Sequence, residues 1–316
     1  MKRNLRIVFM GTPEFAVPSL DALIRAGYNV VGVITAPDKP AGRGRKLRKS
    51  AVKQYAMDHG LTVLQPGKLR NESFLKALKA LDPNLQVVVA FRMLPRVIWE
   101  LPKYGTFNLH ASLLPQYRGA APINWAIING DIETGVSTFF IDEKIDTGEM
   151  ILQRPTSIDP DESAGSLHDR LMEMGSKLLV ETVGLIEEGI AERKPQQDHS
   201  DLKAAPKLNP DNCRIDWNKP VVVIHNLIRG LSPYPAAWTM LQNGEDQLRV
   251  KVYQSEIITE RHDLENGTIV SDGSNLKIAC KNGFIGIKKI QLPGKRKMTV
   301  KDLLNGFSFD DNAKML

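Results

Sequence analysis

The sequence predicts an α/β protein, with a Rossmann-like, mostly parallel sheet in an N-terminal domain and a small C-terminal β-barrel of the OB-like type. Apolar runs alternate with helical patterns in the first half, and Leu85–Phe91 is almost wholly apolar, as strands buried on both faces are. Residues 190–207 are polar and aperiodic, as a linker is. Short strands separated by Asn-Gly and Asp-Gly pairs follow, which is typical of a small barrel.

The first elements form a βαβ unit. Arg6–Met10 is a short apolar strand, and Tyr28–Thr35 is a second one. Between them we expect Thr12 as the N-cap of a helix and Pro13 as its first residue, because both residue types favour those positions. Strands joined through a helix in this way run parallel, which starts the predicted sheet.

The pattern of strands and helices continues to residue 189. Further strands are predicted at Leu85–Phe91, Phe107–His110, Val136–Ile141 and Glu149–Ile158, and helices around Lys53–His59, Ser73–Leu81 and Ala121–Asn129. A long helix follows, capped by Asp161 or Ser163 and ended by Gly189. We therefore expect a first domain over residues 1–189, a linker over 190–207 and a barrel domain over 208–316.

The barrel domain is predicted to contain two helices and five strands. One helix covers Pro220–Gly230, and a last helix begins at Thr299, where Asp302 supplies a variant of the capping box. The strands are Ala236–Leu241, Leu248–Ile257, Thr268–Val270, Leu276–Cys280 and Phe284–Gln291.

Composition narrows the class of protein. A chain of 316 residues is long enough for two domains of ~150 residues, and 42% hydrophobic residues suit a globular core. Cys213 and Cys280 form neither a zinc-ribbon pattern nor a disulfide framework. Ile7–Met10 is too short for a signal peptide, and no run reaches the ~18 apolar residues that span a bilayer. We expect a monomeric, cytoplasmic protein without a metal site or membrane segment.

Three polar residues are predicted to converge at the end of the sheet. Asn108 and His110 alternate in one strand and so share a face, and Asp146 follows the strand Val136–Ile141, which we expect to end at the same edge. An amide and an imidazole can donate hydrogen bonds to a developing oxyanion, and a carboxylate can orient the imidazole. The trio therefore favours acyl transfer, although a histidine packed in the core would give the same spacing.

Longer motifs around these residues resemble those of the methionyl-tRNA formyltransferases, in the formyltetrahydrofolate-dependent formyltransferase family. The stretch Asn108–Pro122 (NLHASLLPQYRGAAP) resembles the first family signature, and Gly135–Gly148 (GVSTFFIDEKIDTG) resembles the second. Met10–Ala16, Pro37–Gly44 and Ile215–Trp217 match as well. The resemblance runs in order over nearly the whole chain.

The resemblance implies the site residues and the co-substrate. Asn108, His110 and Asp146 would be catalytic, and the formyl donor would be 10-formyltetrahydrofolate, with no metal. The folate pocket would involve Phe91, Arg92, Met93, Ser112, Leu113, Leu114, Pro115 and Asp142. Relatives usually carry a glycine at the position of Arg92.

The implied reaction formylates the α-amine of methionyl initiator tRNA for translation initiation. The amine, with a pKa near ~8, attacks in its neutral form, and a tetrahedral oxyanion develops at the formyl carbon. Asn108 and His110 would stabilise that oxyanion by roughly 2.7–4 kcal/mol per donor. Asp146 would hold His110 and can relay the proton of the amine through water.

Two acid-free basic stretches are candidate tRNA contacts. The first contains Arg43, Arg45, Lys46, Arg48 and Lys49, and the second contains Lys295, Arg296 and Lys297. On composition alone, the first stretch is better interpreted as a solvated surface loop, and the second can equally be a loop that its charge keeps soluble. The resemblance implies that the first stretch enters the tRNA acceptor stem, with Arg43 as the specific contact because arginine makes forked hydrogen bonds.

Several alternatives remain open at this stage. The acceptor could be a small amine, such as a glycinamide ribonucleotide or an amino sugar, and the same trio could hydrolyse the formyl donor. A non-catalytic RNA-binding protein is a third possibility. A small-molecule transferase would need neither basic stretch, and a non-catalytic relative would be expected to lose part of the trio.

Overall fold

The computed structural model describes residues 2–41, 46–197 and 200–316. The chain packs as two compact units. The first comprises Met1–Gly119, Thr134–Thr156 and His168–Ala204; the second comprises Ala120–Glu133, Ser157–Leu167 and Ala205–Leu316. The predicted domain boundaries do not account for the two short segments, 120–133 and 157–167, that belong to the second unit.

The strands and helices alternate through the first 188 residues. The strands are β1 (Ile7–Gly11), β2 (Val30–Ile34), β3 (Lys39–Ala41), β4 (Lys46–Arg48), β5 (Val63–Leu64), β6 (Leu85–Val89), β7 (Thr106–His110), β8 (Arg118–Gly119), β9 (Glu133–Phe140) and β10 (Met150–Ser157). The helices are α1 (Val17–Arg25), α2 (Ala51–Asp58), α3 (Glu72–Ala80), α4 (Arg96–Trp99), α5 (Pro122–Ile128) and α6 (Ala164–Glu188).

Seven of these strands form one sheet in the order β10-β9-β7-β6-β1-β2-β5. Pairs of neighbours from β5 to β7 are parallel, as the βαβ pattern predicts. Strand β9, however, runs antiparallel to β7, with Phe140 beside Phe107 and Ser137 beside His110. The predicted Rossmann-like, mostly parallel fold is thus confirmed, with the difference that β9 runs in the opposite direction to β7.

An apolar cluster covers one face of this sheet. It joins Val8, Met10 and Val88 of the central strands to Phe74 and Leu78 of α3, all nearly or fully buried. The helical spacing of Phe74 and Leu78 on α3 turns both onto this face, and the Asn71 side chain caps the helix by accepting from the Ser73 amide.

Two helix starts test the predicted caps. Ser163 caps α6, because its Oγ accepts a 3.2 Å hydrogen bond from the Ser166 amide. Thr12 caps nothing: Glu14–Ala16 form a 3-10 turn whose N-cap is Pro13, and α1 begins only at Val17. The prediction of Thr12 as an N-cap was wrong because the 3-10 turn displaces the helix start by several residues.

Strand β11 (Ala204–Ala205) belongs to a separate two-stranded sheet, and the strands after it build the barrel. They are β12 (Ala237–Asn243), β13 (Asp246–Ile258), β14 (Ile269–Ser271), β15 (Leu276–Cys280), β16 (Gly283–Gln291), β17 (Met298–Thr299) and β18 (Lys314–Met315), with helices α7 (Val221–Gly230) and α8 (Val300–Leu304). The sheet order is β14-β15-β16-β13-β12-β18, and an antiparallel bridge between Thr268 and Lys314 brings its two ends together. The predicted small barrel is confirmed as a nearly closed antiparallel one.

The last ten residues have a structural role that the sequence did not reveal. Met315 is 1% exposed in the barrel core, and its amide donates a 2.9 Å hydrogen bond to the Gly267 carbonyl. On its other side, β18 pairs with Leu241 and Gln242 of β12. The C-terminal tail therefore closes the barrel.

The capping box predicted for α8 is present. The Thr299 side chain accepts from the Asp302 amide, and the Asp302 side chain accepts from the Thr299 amide.

Candidate active site

Strand β7 carries Asn108 and His110 on one face of the sheet. Asn108 lies between Val88 of β6 and Phe139 of β9, and His110 lies beside Ser137. His110 is 6% exposed, whereas Asn108 is half-buried. The Asn108 carboxamide makes no hydrogen bond to the described part of the chain. Its donor is therefore available on the same face as the imidazole.

One ring nitrogen of His110 is committed to the protein. His110 Nε2 lies 2.9 Å from the Tyr117 carbonyl, and because a carbonyl only accepts, Nε2 carries the proton of that hydrogen bond. Tyr117 itself has φ of +61°, unusual for a bulky residue, and its amide donates a 2.6 Å hydrogen bond to the Lys203 carbonyl. The other ring nitrogen, Nδ1, is thereby directed toward Asp146.

Asp146 faces that nitrogen from the loop between β9 and β10. Its Oδ2 lies 3.8 Å from His110 Nδ1 and accepts a 2.9 Å hydrogen bond from the Gly119 amide. Backbone N–H groups fix a carboxylate strongly, so Asp146 is held in place even without a direct hydrogen bond to the imidazole. His110 and Asp146 thus converge as the sequence predicted.

The route by which Asp146 arrives differs from the prediction. Since β9 is antiparallel to β7, the chain leaves it beside Thr106, at the start of β7, where the Ile141 amide donates to the Thr106 carbonyl. The expectation that β9 and β7 end at one edge was wrong. The loop instead returns along β7 until Asp146, with φ of +55°, meets His110.

Two residues shape this returning loop. Asp142 Oδ1 accepts hydrogen bonds from the Lys144 amide at 3.0 Å and from Thr147 Oγ1 at 2.8 Å. A Cβ atom at Gly148 would lie 1.7 Å from the Phe140 carbonyl oxygen, so only glycine fits there. The Asp142 carboxylate, predicted near the folate, is therefore engaged in holding the loop.

Sequence reasoning missed one contact of the same loop. Gln196 Nε2 donates to the carbonyls of Asp146 at 3.0 Å and of Gly148 at 2.8 Å, and its Oε1 accepts from Arg118. Arg118 lay within the recognised signature, but Gln196 lay in the aperiodic stretch assigned as linker, where no pattern marks it.

The predicted pocket residues Ser112–Pro115 form a turn whose polar groups are hydrogen-bonded to other residues of the protein. Ser112 Oγ donates to the Gln116 carbonyl at 2.7 Å, and Ser137 Oγ donates to the Ser112 carbonyl at 2.6 Å. The Leu114 amide and carbonyl are bonded to Ser137 Oγ and Gln153 Nε2, at 3.1 and 2.8 Å. Leu114 is buried, and Leu113 and Pro115 are half-buried. The polar groups of this turn are largely engaged within the protein.

The other predicted pocket residues follow β6. The Phe91 ring packs on the same apolar cluster as Leu94 and Ile141, while Met93 is 64% exposed. Arg92, at the position where the resemblance implies a glycine, is an exposed residue, and its guanidinium donates to the backbone carbonyls of Pro66 and Gly67. Phe91 and Ile141, the residue before Asp142, thus pack against one apolar cluster of the sheet.

The basic stretches lie at a pair of short strands and in a barrel loop. In the first unit, β3 and β4 pair as antiparallel strands; β4 ends at the exposed Arg48, and the exposed Lys49 follows it. Backbone pairing places Lys46 opposite Ala41, whereas Arg43 and Arg45 lie outside the described residues. In the second unit, Lys295, Arg296 and Lys297 are exposed between β16 and β17, and the Lys297 ammonium lies 4.1 Å from the Tyr253 ring centroid.

Metal-binding groups and membrane-spanning helices are both absent from the described residues. No group of three histidine, cysteine, aspartate or glutamate side chains is arranged there to hold a metal ion. No helix in that part of the chain is both long enough and apolar enough to cross a membrane.

Comparison with protein families gives matches over both units. The profile of the formyl transferase family matches residues 5–183, and the profile of the formyl transferase C-terminal domain matches residues 207–308. The curated methionyl-tRNA formyltransferase of Flavobacterium johnsoniae is 59% identical over 312 residues, 99% of each chain. That of Bacteroides fragilis is 53% identical over 319 residues, 99% of this chain and 98% of the relative.

Solved structures share the fold at lower identity. An N-formyltransferase from Helicobacter canadensis, in complex with folinic acid and dTDP-3-aminofucose, has a TM-score of 0.64 and 22% identity over 90% of this chain and 98% of its own. HypX from Aquifex aeolicus, in complex with tetrahydrofolic acid, has a TM-score of 0.65 and 17% identity, covering 98% of this chain and 49% of its own. Because one family profile covers more than half of the sequence and relatives above 50% identity cover nearly all of it, the chain belongs to the formyl transferase family and, within it, to the methionyl-tRNA formyltransferases.

Proposed function

We propose that this chain transfers the formyl group of 10-formyltetrahydrofolate to the α-amine of methionyl initiator tRNA, for translation initiation. Relatives that are 59% and 53% identical over nearly their whole length are methionyl-tRNA formyltransferases, which supports this acceptor. The structural observation that carries the chemistry is the approach of Asp146 Oδ2 to within 3.8 Å of His110 Nδ1, on the face that Asn108 shares.

His110 would stabilise negative charge through Nδ1. Its Nε2 proton is held by the Tyr117 carbonyl, so a hydrogen bond to the reacting carbonyl oxygen has to come from Nδ1–H. That requires the ring to carry both protons, as a cation does. The Asp146 carboxylate lies on the same side, with Oδ2 3.8 Å from Nδ1.

Asn108 would supply the second hydrogen-bond donor. Its carboxamide makes no hydrogen bond to the described residues, so donating one to a developing oxyanion breaks no existing contact. Such preorganised donors act most strongly where water is scarce. The 6% exposure of the neighbouring His110 indicates a largely enclosed position.

Asp146 would also accept the proton that the attacking amine releases. Its Oδ2 is bonded to the Gly119 amide, while Oδ1 accepts no hydrogen bond within the described chain. Oδ1 can therefore contact the amine directly or through one water molecule. A carboxylate held at one oxygen and open at the other is suited to general base catalysis.

When bound, 10-formyltetrahydrofolate would supply the formyl group and leave as tetrahydrofolate: the bond between the formyl carbon and N10 breaks, and the proton taken from the amine passes to N10. We assign its pocket to Phe91, Arg92 and Met93 together with Asp142, because the first three follow the carboxyl end of β6, where ligands of parallel sheets bind, and Asp142 opens the loop that carries Asp146. Ser112–Pro115 would shape the wall of the pocket through their internal hydrogen bonds. With its guanidinium bonded to the carbonyls of Pro66 and Gly67, Arg92 would contact folate through its backbone.

The tRNA would be held by both basic stretches. Arg43, Arg45, Lys46, Arg48 and Lys49 are proposed to contact the acceptor end, and Lys295, Arg296 and Lys297 the phosphate backbone. One chain contains all the proposed catalytic residues, so we further propose that it acts as a monomer, in the cytoplasm where translation begins.

Label transfer tests this function directly. Formyl-labelled 10-formyltetrahydrofolate is incubated with the protein and with purified aminoacyl-tRNAs, an amino sugar nucleotide, or glycinamide ribonucleotide. We expect label on methionyl initiator tRNA and none on elongator methionyl-tRNA. Label on a small amine would contradict the proposed acceptor, and release of labelled formate without transfer would instead indicate a hydrolase.

A further inference from the structure

A segment of the predicted linker lies against the loop that carries Asp146. The Lys194 amide and carbonyl are both bonded to the backbone of Met150, at 3.0 and 2.7 Å. The Arg193 guanidinium carbon lies 3.9 Å from the Phe140 ring centroid, and its Nη1 lies 3.5 Å from Glu149. Residues 193 and 194 are thus fixed on the two strands that flank the loop, and they place Gln196 beside it.

The Gln196 amide is fully used, and its orientation is determined by its partners. Its Nε2 faces the carbonyls of Asp146 and Gly148, at 3.0 and 2.8 Å, and carbonyls only accept. Its Oε1 faces Nε and Nη2 of Arg118, at 3.1 and 2.8 Å, and a guanidinium only donates. If the amide were flipped, its Nε2 would face the donors of Arg118 and its Oε1 would face the two carbonyl acceptors.

The two segments that Gln196 joins are the ones that hold the catalytic side chains. Arg118 stands between Tyr117, whose carbonyl accepts from His110 Nε2, and Gly119, whose amide donates to Asp146 Oδ2. On the other side, Gln196 holds the backbone of Asp146 itself. Asp146 has φ of +55°, a conformation that needs support from its surroundings in a residue other than glycine.

We propose that Gln196 is a positioning residue for formyl transfer: it fixes the backbone of Asp146 relative to the 117–119 segment and so sets the distance between the Asp146 carboxylate and His110. This inference rests on the proposed function for its catalytic consequence. Gln196 touches neither of the reacting side chains directly, and it acts through the two loops. A displacement of about 1 Å in such a site costs on the order of 10²-fold in rate.

The chain offers a matched pair of glutamines to test this role. Gln196→Met keeps a side chain of similar length and removes every hydrogen bond, while Gln197→Met makes the same change at the exposed neighbour, for which no side-chain hydrogen bond is present in the described chain. We expect Gln196→Met to lower kcat by on the order of 10²-fold, with KM for both substrates within about threefold of the wild type. Gln197→Met should keep wild-type kcat.

A second variant separates the two ends of the amide. Gln196→Glu keeps an acceptor for Arg118 but sets a carboxylate oxygen against the carbonyls of Asp146 and Gly148. We expect a loss of kcat at least as large as in Gln196→Met, because the loop is then repelled rather than held. Wild-type kcat in either variant would overturn the proposal.

Hydrogen–deuterium exchange gives a readout that does not need activity. Amides of residues 142–148 should exchange faster in folded Gln196→Met than in wild type or Gln197→Met, since opening of the loop is less opposed. Unchanged exchange there would overturn the proposal, as would faster exchange with unchanged kcat, because the glutamine would then be structural only. If the wild type transferred no formyl group to any tested amine, the proposed function would fail while this exchange experiment still tested the contact.

Discussion

The carboxylate of Asp146 and the imidazole of His110 are held 3.8 Å apart by two neighbouring backbone groups. The Gly119 amide donates to Asp146 Oδ2, and the Tyr117 carbonyl accepts from His110 Nε2, so residues 117–119 orient both side chains. The separation is too long for a direct hydrogen bond, and an ion pair forms across it only when the imidazole carries both protons.

Replacing Asp146 with asparagine should abolish most of the turnover. The amide keeps nearly the same shape and can still accept from Gly119, but it neither supports a charge on His110 nor takes a proton from the amine. We expect kcat to fall by about 10²–10⁴-fold and the affinity for tRNA to stay within a few-fold. Glu143→Gln, a charge-neutralising change at an exposed residue of the same loop, is the control for kcat. Turnover of Asp146→Asn equal to that control would contradict the assigned role.

Asn108→Ala should separate catalysis from stability. Because the carboxamide makes no hydrogen bond within the described chain, its removal leaves no protein group unpaired. We expect kcat to fall by about 10²–10³-fold, the usual effect of losing one oxyanion donor, and Tm to change by only a few degrees. Single-turnover rates and thermal denaturation of the same preparation measure both. A large fall in Tm with unchanged turnover would assign Asn108 to the core instead.

The sequence predicted the parallel core and the approach of Asp146 to His110, but not the route that the chain takes between them. Alternation in β7 placed Asn108 and His110 correctly, because side-chain period in a strand is independent of its neighbours. The direction of β9 depends on long-range pairing with β7, which no local pattern encodes, and so the path to Asp146 was predicted wrongly. Gln196 escaped notice for a similar reason, since its partners are 48 to 78 residues away and its own segment is aperiodic.

Neutralising Lys295, Arg296 and Lys297 together should weaken tRNA binding and reduce its salt dependence. All three are exposed, and no ion pair engages them among the described residues. Each phosphate contact that is lost lowers the slope of log affinity against log salt by about one. The affinity for tRNA is measured at salt concentrations from about 50 to 200 mM, a range over which phosphate contacts make the affinity fall steeply. The control is a variant in which Lys277, which is paired with Glu260, is neutralised. If the triple variant showed the same salt slope as this control, the loop would be excluded as a tRNA contact.

Met315→Ala should destabilise the barrel. The side chain is 1% exposed in the barrel core, and the strand β18 that carries it joins the two ends of the barrel sheet. Truncating a buried methionine to alanine costs about 2–5 kcal/mol in the free energy of unfolding. Denaturant titration measures this cost. The exposed Leu316→Ala serves for comparison, and an equal effect of both changes would mean that the tail does not close a core.

His225 should make the second unit sensitive to mild acid. The ring is 6% exposed, with Nδ1 3.1 Å from Ser255 Oγ and Nε2 3.3 Å from Asp161. Burial lowers the pKa of His225 below its ordinary value of 6.5, and the charge of Arg229 lowers it further, although Asp161 opposes both. Between pH 6.5 and this lowered pKa, the unfolded chain therefore binds a proton at His225 that the folded chain does not. The free energy of unfolding falls as the pH drops from 6.5 through the lowered folded pKa, and His225 causes no such loss above pH 6.5.

Unfolding free energies at pH 7.5 and pH 5.5, about one unit on either side of the ordinary value, measure the effect of His225. His225→Gln should lose less stability over this interval than the wild type, and an equal loss in both proteins would show that another group is responsible.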